Sequence, residues 1–199
     1  MIKRILCLGL LAFALAGCVT AQNPLSRQDV EAMRLASVHV AADAGATLWW
    51  GDGDRAYARS KGRPDTESED LSKTPEARAF IARLAAAKIG AALEQQLKPA
   101  LTGQRAVKID VNLRRLYVAS PIQRVVVGGS HELVADITVA DAKSGAVLVS
   151  LPEFRTIALA GQGIGGTILD AAFMADPIDR LALNFASRFR EWLAPQPTP

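Results

Sequence analysis

Cysteine is almost missing from the chain: of 199 residues only Cys7 and Cys18 carry a thiol. A stretch without thiols forms no disulfide, builds no thiolate metal site and offers no cysteine nucleophile, so everything after Cys18 is closed to those three chemistries. Histidine is equally scarce, with His39 and His131 alone. Two imidazoles do not make a structural zinc site without help, and here only carboxylates could supply it. No sign of charge dominates either: 23 Lys and Arg face 20 Asp and Glu, a net +3. A balance that even gives no electrostatic reason to expect nucleic acid as a partner, despite a pI of about 9.1. Long apolar runs are limited to one, the twelve residues Ile5 to Ala16. That is far short of the roughly 20 needed to cross a bilayer as a helix. There is no internal repeat.

The apolar run has a different logic. Lys3 and Arg4 precede it and small residues follow it, which is the layout of a secretory signal. Its last residues, Leu15-Ala16-Gly17-Cys18, resemble the bacterial lipobox. The resemblance implies cleavage before Cys18 and attachment of diacylglycerol to its sulfur. Residues 1–17 are then a signal peptide, and losing Lys3 and Arg4 lowers the net charge from +3 to +1. Each buried methylene adds roughly 0.8 kcal/mol of membrane affinity, so two or three acyl chains hold where one would not. Residue 19 is valine and not aspartate, which by the enteric sorting rule favours the outer membrane, periplasm-facing, with the inner membrane as the alternative.

Residues 18–35 read as the lipidated N-terminus, a tether from Val19 to Pro24, and a short helix opened by Ser26 with Asp29 and running to Arg34. A single domain follows over 36–194. Val38 and Val40 alternate with polar or small residues from Ala36 to Ala42, a strand with one buried face. Between Gly51 and Glu76 twelve residues are charged and apolar ones nearly absent, which predicts a long surface loop at 51–74. Thr74-Pro75-Glu76 then starts a helix reaching about Lys98, with Ile81, Leu84, Ala85, Ile89, Leu93 and Leu97 on one face. A strand carries Val107, Ile109, Val111 and Leu113, and its parity shifts to Leu116 and Val118 across a bulge near Arg114 and Arg115. Leu133, Ile137 and Val139 make the next strand, and the turn Asp141-Ala142-Lys143-Ser144-Gly145 leads to Val147, Val149 and Leu151. This last strand continues, after a break at Pro152, through Phe154 to Leu159. Asp176 and Pro177 open a final helix with Ile178, Leu181, Phe185, Phe189 and Trp192 in one stripe, and 195–199 is a disordered tail. The expected fold is α+β: a two-layer α/β sandwich whose small antiparallel or mixed sheet is covered on one face by two amphipathic helices.

Four groups of residues were candidates for chemistry. Gly161-Gln162-Gly163-Ile164-Gly165-Gly166 has the glycine spacing of a dinucleotide turn, but no strand follows to supply the ribose-binding acid. It reads as a turn, or with Ile168, Leu169 and Phe173 as an apolar patch for a membrane or partner. Trp49-Trp50-Gly51-Asp52-Gly53-Asp54-Arg55 is the most unusual string. Adjacent tryptophans in a strand point to opposite faces, so one is expected near the surface. The aspartates do not continue into a calcium loop, because its later oxygen ligands and glycine are missing. Beside a core reading of this string stands a functional one, in which Trp49, Trp50, Asp52, Asp54 and Arg55 line a groove for a protein or glycan. His131 joins them as a candidate binding residue, against the simpler reading of a strand histidine satisfied by backbone. Near His39 stand Asp29, Glu31 and Asp43, but no serine sits in a nucleophile turn to complete a hydrolase triad. No catalytic residue, metal site or cofactor is expected.

Trp50-Gly51-Asp52 with Asp54-Arg55, Gly128-Gly129-Ser130-His131, and Asp141 with Gly145 are together similar to a family of alphaproteobacterial lipoproteins of unknown function, over roughly Ser37 to Leu151. The resemblance implies no activity and no ligand. Two helices on a small sheet behind a lipid anchor are also loosely similar to lipoproteins that serve outer-membrane assembly. The expected function is a non-enzymatic envelope lipoprotein that binds, or helps assemble, another envelope component, with the membrane contacted through its lipid. The alternative is a periplasmic carrier enclosing a small apolar ligand or lipid. An enzyme is a third class, for which the sequence offers no constellation.

Overall fold

The computed structural model describes residues 23–119, 130–159 and 176–194. The lipobox with Cys18, the Gly161–Gly166 string and the tail lie outside them. Helix α1 (Arg27–Ala32) opens with a complete capping box, the Ser26 hydroxyl accepting from the Asp29 amide while the Asp29 carboxylate accepts from the Ser26 amide. It stops at Ala32, and Arg34 already belongs to β1 (Met33–Trp50). At 18 residues this strand is far longer than the seven expected. Small and polar residues such as Ala41, Ala44, Gly45 and Thr47 on its exposed face hide its length, because that face is open to water.

Residues 51–74 are not the loop their charge suggested. They form α2 (Gly51–Ser60), a 3-10 turn (Asp65–Glu67) and α3 (Ser68–Leu71). The charges pair along the chain, as Arg55 with Asp52, Arg63 with Glu67 and Lys73 with Asp70, so the helical spacing supports them instead of dissolving them. Three residues of α2, Gly53, Tyr57 and Ala58, are buried. They provide the apolar contact that the charge count of the segment does not reveal.

Helix α4 (Pro75–Leu97) is capped by Thr74, and α5 (Pro177–Leu193) by Asp176, each with proline in its first turn. Between α1 and α5 the sheet is built from β1, β2 (Arg105–Val118), β3 (Ser130–Asp141) and β4 (Val147–Leu159) in that spatial order. β1 and β2 are parallel and the other two pairings antiparallel, which makes a mixed α+β sheet. The crossover from β1 to β2 passes through α4, while short connections suffice for the antiparallel pairs. Both α4 and α5 cover one face. Ile81, Ile89 and Leu93 from α4 and Phe185 and Phe189 from α5 are buried against Ile109, Leu113, Leu133 and Ile137. Leu193 takes the buried end of the α5 stripe, and Trp192 is half-buried, stacked on Phe189.

The opposite face of the sheet is open and polar, and it is organised around one line of irregularities. β1 bulges between Ala42 and Thr47, β2 between Leu113 and Arg115, and β4 between Leu151 and Phe154, while β3 runs through unbroken. The expected bulge at the paired arginines is thus one of the three that form this line. Arg114 joins the line, donating to Asp43 of β1 (2.8 Å) and Asp136 of β3 (2.7 Å). Asp136 also accepts the amide of Glu153, whose φ of 51° holds the β4 bulge in a left-handed conformation. That backbone bond, followed by Arg114, keeps the Asp136 carboxyl below the usual aspartate range. The turn joining β3 to β4 follows the sequence closely. Asp141 accepts from the amides of Lys143 and Ser144, and Gly145 takes a φ of 76° that a side chain would oppose.

Candidate functional site

β1, β2 and β4 run in one direction and β3 in the other, so the sheet has two poles. Met33, Arg105, Asp141 and Val147 meet at one, and Trp50, Val118, Ser130 and Leu159 at the other. The candidate site lies at the Trp50 pole. There the two tryptophans part as strand geometry requires: Trp50 is 2% exposed in the core and Trp49 is 58% exposed on the open face. Trp49 meets the Tyr117 ring edge-on, with centroids 5.8 Å apart. On the same face Glu132 holds Arg155 at 2.6 Å and Arg115 at 3.5 Å.

Trp50 sets the position of the helix that follows. A Cβ on Gly53 would lie 2.6 Å from the Trp50 ring, so only glycine lets α2 lie this close to the indole. With α2 so placed, a cleft of about 490 Å³ opens between the end of β1, α2, α3 and the start of α4. Trp49, Asp54 and Arg55 line it together with Glu69, Lys73 and Ile81. Arg55 is held by Asp52, one turn back. Burial lifts the Asp54 carboxyl above the ordinary aspartate range, and Glu69 adds to the rise while Arg55 and Ser72 oppose it. A carboxylate kept partly desolvated beside a like charge costs stability, and such groups concentrate at functional sites.

The sign of that cost can be measured. Asp54 binds its proton more tightly folded than unfolded, so its contribution to stability falls as pH rises from the unfolded value of about 3.9 through the higher folded one. Asp54→Asn is therefore expected to melt above the parent at pH 7, with the two midpoints converging below about pH 4. A melting point lowered at pH 7 would mean that Asp54 stabilises the fold.

Of the six candidate binding residues, the structure gathers Trp49, Asp54 and Arg55 at one cleft. Asp52 supports Arg55 from behind, and Trp50 lies beneath. His131 is not at the surface: it is 1% exposed, and its Nδ1 accepts the Ala119 amide at 3.0 Å, which is the backbone-satisfied role. His39 stands on the open face, paired in register with Asp110, so the two histidines do not meet. Among the described residues no group of three His, Cys, Asp or Glu is arranged to hold a metal. Glu69, Ser72 and Lys73 fall in the stretch whose charge suggests a loop, while Ile81, expected on the apolar face of α4, also reaches the cleft. The repeat of Trp50, Gly53, Asp54, Tyr57 and Ala58 at helical spacing was the available signal.

Residues 84–192 match the model of a family of unknown function, DUF6778, from within α4 to the end of α5. The chain belongs to that family. The matched region extends beyond the Ser37–Leu151 span of the sequence resemblance through β4 and α5, and it leaves out the Trp49–Arg55 string. No curated protein matches the chain. Among solved structures it is similar to a DUF330 protein from Xanthomonas campestris (9% identity, 87% of this chain and 90% of that one, TM-score 0.42). It is also similar to the PelC dodecamer from Paraburkholderia phytofirmans (10%, 89% and 96%, 0.37). A third is a candidate lipoprotein from Caulobacter crescentus (20%, 55% and 80%, 0.32). Among the described residues of this DUF6778 chain no helix is long and apolar enough to cross a membrane.

Proposed function

We propose that this DUF6778 protein is an envelope lipoprotein, anchored by acyl chains on Cys18, facing the periplasm from the outer membrane, and binding another envelope protein through the Trp49 cleft without catalysing a reaction. The observation that carries the binding reading is Trp49 itself. An indole 58% exposed, supported edge-on by Tyr117 and set at the mouth of a charged cleft, is the type of residue that dominates protein interfaces. Support for the anchor is the Leu15-Ala16-Gly17-Cys18 motif after a twelve-residue apolar run, and Val19 favours the outer membrane. The carrier alternative has less support, because Phe185, Phe189, Ile89 and Leu93 fill the space between sheet and helices where a ligand would lie.

A photo-crosslinking amino acid placed at Trp49 in the native membrane tests the reading. One discrete adduct is expected, lost when the crosslinker is moved to Lys143 at the other pole. Absence of any specific adduct from position 49, or the same adduct from both positions, would reject the cleft as the binding surface.

A further inference from the structure

We infer that the Trp49 cleft is held on the membrane-distal pole of the molecule, so that its partner is a protein standing clear of the leaflet that anchors the chain and not the lipid of that leaflet. The inference rests on the lipid anchor proposed above and adds its direction.

The chain emerges from the fold at a fixed corner. The side-chain amide of Asn23 donates to the carbonyl of Leu193 at 3.0 Å, tying the start of the described chain to the last turn of α5. Cys18 precedes Asn23 by five residues, a tether that spans at most about 18 Å when fully extended. The bilayer surface must therefore lie close to this corner. Helix α1 follows at once and delivers the chain to Met33, where the Gly103 amide donates to the Met33 carbonyl at 2.7 Å. That is the pole opposite Trp50. The 14 residues of β2 separate the two poles by about 40 Å.

The surfaces agree with this direction. At the Met33 pole Arg34 and Lys143 are exposed cations with no carboxylate partner among the described residues, suited to anionic headgroups. Val147, 61% exposed, stands at the same end. A molecule lying flat on its open sheet face would instead have to press Arg114, Asp43, Asp136 and Glu132, each engaged in an ion pair, into the headgroup layer. Partnered charges of that kind gain little from lipid and lose water.

The shortage of cysteine makes the test simple, since an introduced thiol is the only one to label once Cys18 carries lipid. Lipidated full-length Arg27→Cys and Lys73→Cys, each bearing a donor dye, are reconstituted into phosphatidylethanolamine–phosphatidylglycerol vesicles with an acceptor on the headgroup. Both sites are solvent-exposed, one on α1 and one at the cleft rim. Energy transfer is expected to be several-fold stronger from Arg27→Cys than from Lys73→Cys. Flotation with the vesicles but equal transfer, or stronger transfer from Lys73→Cys, would overturn the orientation alone. Failure to float would remove the anchor, and the orientation with it.

Discussion

Replacing Cys18 with alanine is expected to move the protein from the membrane fraction to the soluble fraction almost completely. The argument is one of hydrophobic area. At roughly 0.8 kcal/mol per methylene, a single acyl chain binds a bilayer only marginally, while two or three together hold it in practice permanently. Among the described residues no helix is long and apolar enough to cross a membrane. Fractionation of the Cys18→Ala variant, with mass spectrometry of the parent for a lipid-modified N-terminus, measures both halves of the claim. An alanine variant still bound to membranes would assign the attachment to a protein surface instead.

Phe189→Ala is expected to be the most damaging single change in the folded module. The ring is fully buried, lies 6.0 Å from Phe154 of β4 in an edge-on contact, and stacks on Trp192 at the same distance. Truncating a buried phenylalanine costs about 3–5 kcal/mol, which for a module of this size lowers Tm by roughly 10 °C. Its effect should exceed that of Trp192→Ala, since Trp192 is only half-buried. Thermal unfolding of the two variants decides the point. A loss below about 1 kcal/mol at Phe189 would mean that α5 is not docked on β4 as the structure has it.

How far the sequence was readable depended on whether the deciding interaction was local. The caps at Ser26, Thr74 and Asp176, the turn at Asp141 to Gly145, and the parity shift at Arg114 are decided within a few residues, and each stands where it was expected. The separation of Trp49 from Trp50 follows from alternation alone. The stretch after Trp50 is not legible from charge density alone, because Tyr57 finds its apolar contact on Phe80 of α4, with ring centroids 5.5 Å apart. The cleft was less legible still. Two of its walls come from α3 and α4, and no local pattern says that Glu69 will stand near Asp54. His131 shows the opposite case, where a chemically capable side chain is used for the Ala119 amide.

The line of bulges through Asp43, Arg114 and Glu153 has a consequence for how such a chain can vary. In β2 the inward residues are odd-numbered up to Leu113 and even-numbered from Leu116, and in β4 they change from Leu151 to Thr156 in the same way. The extra residue acts as a phase shifter between two half-strands. Loss of Arg114 from β2 would restore plain alternation, with Leu113, Leu116 and Val118 still inward and Arg115 and Tyr117 still outward, so the core does not require the extra residue. What the extra residue adds is on the open face: two consecutive outward arginines, of which Arg114 reaches Asp43 and Asp136 on both flanking strands and Arg115 reaches Glu132, so its loss would unfasten the wet side of the sheet while sparing the dry one.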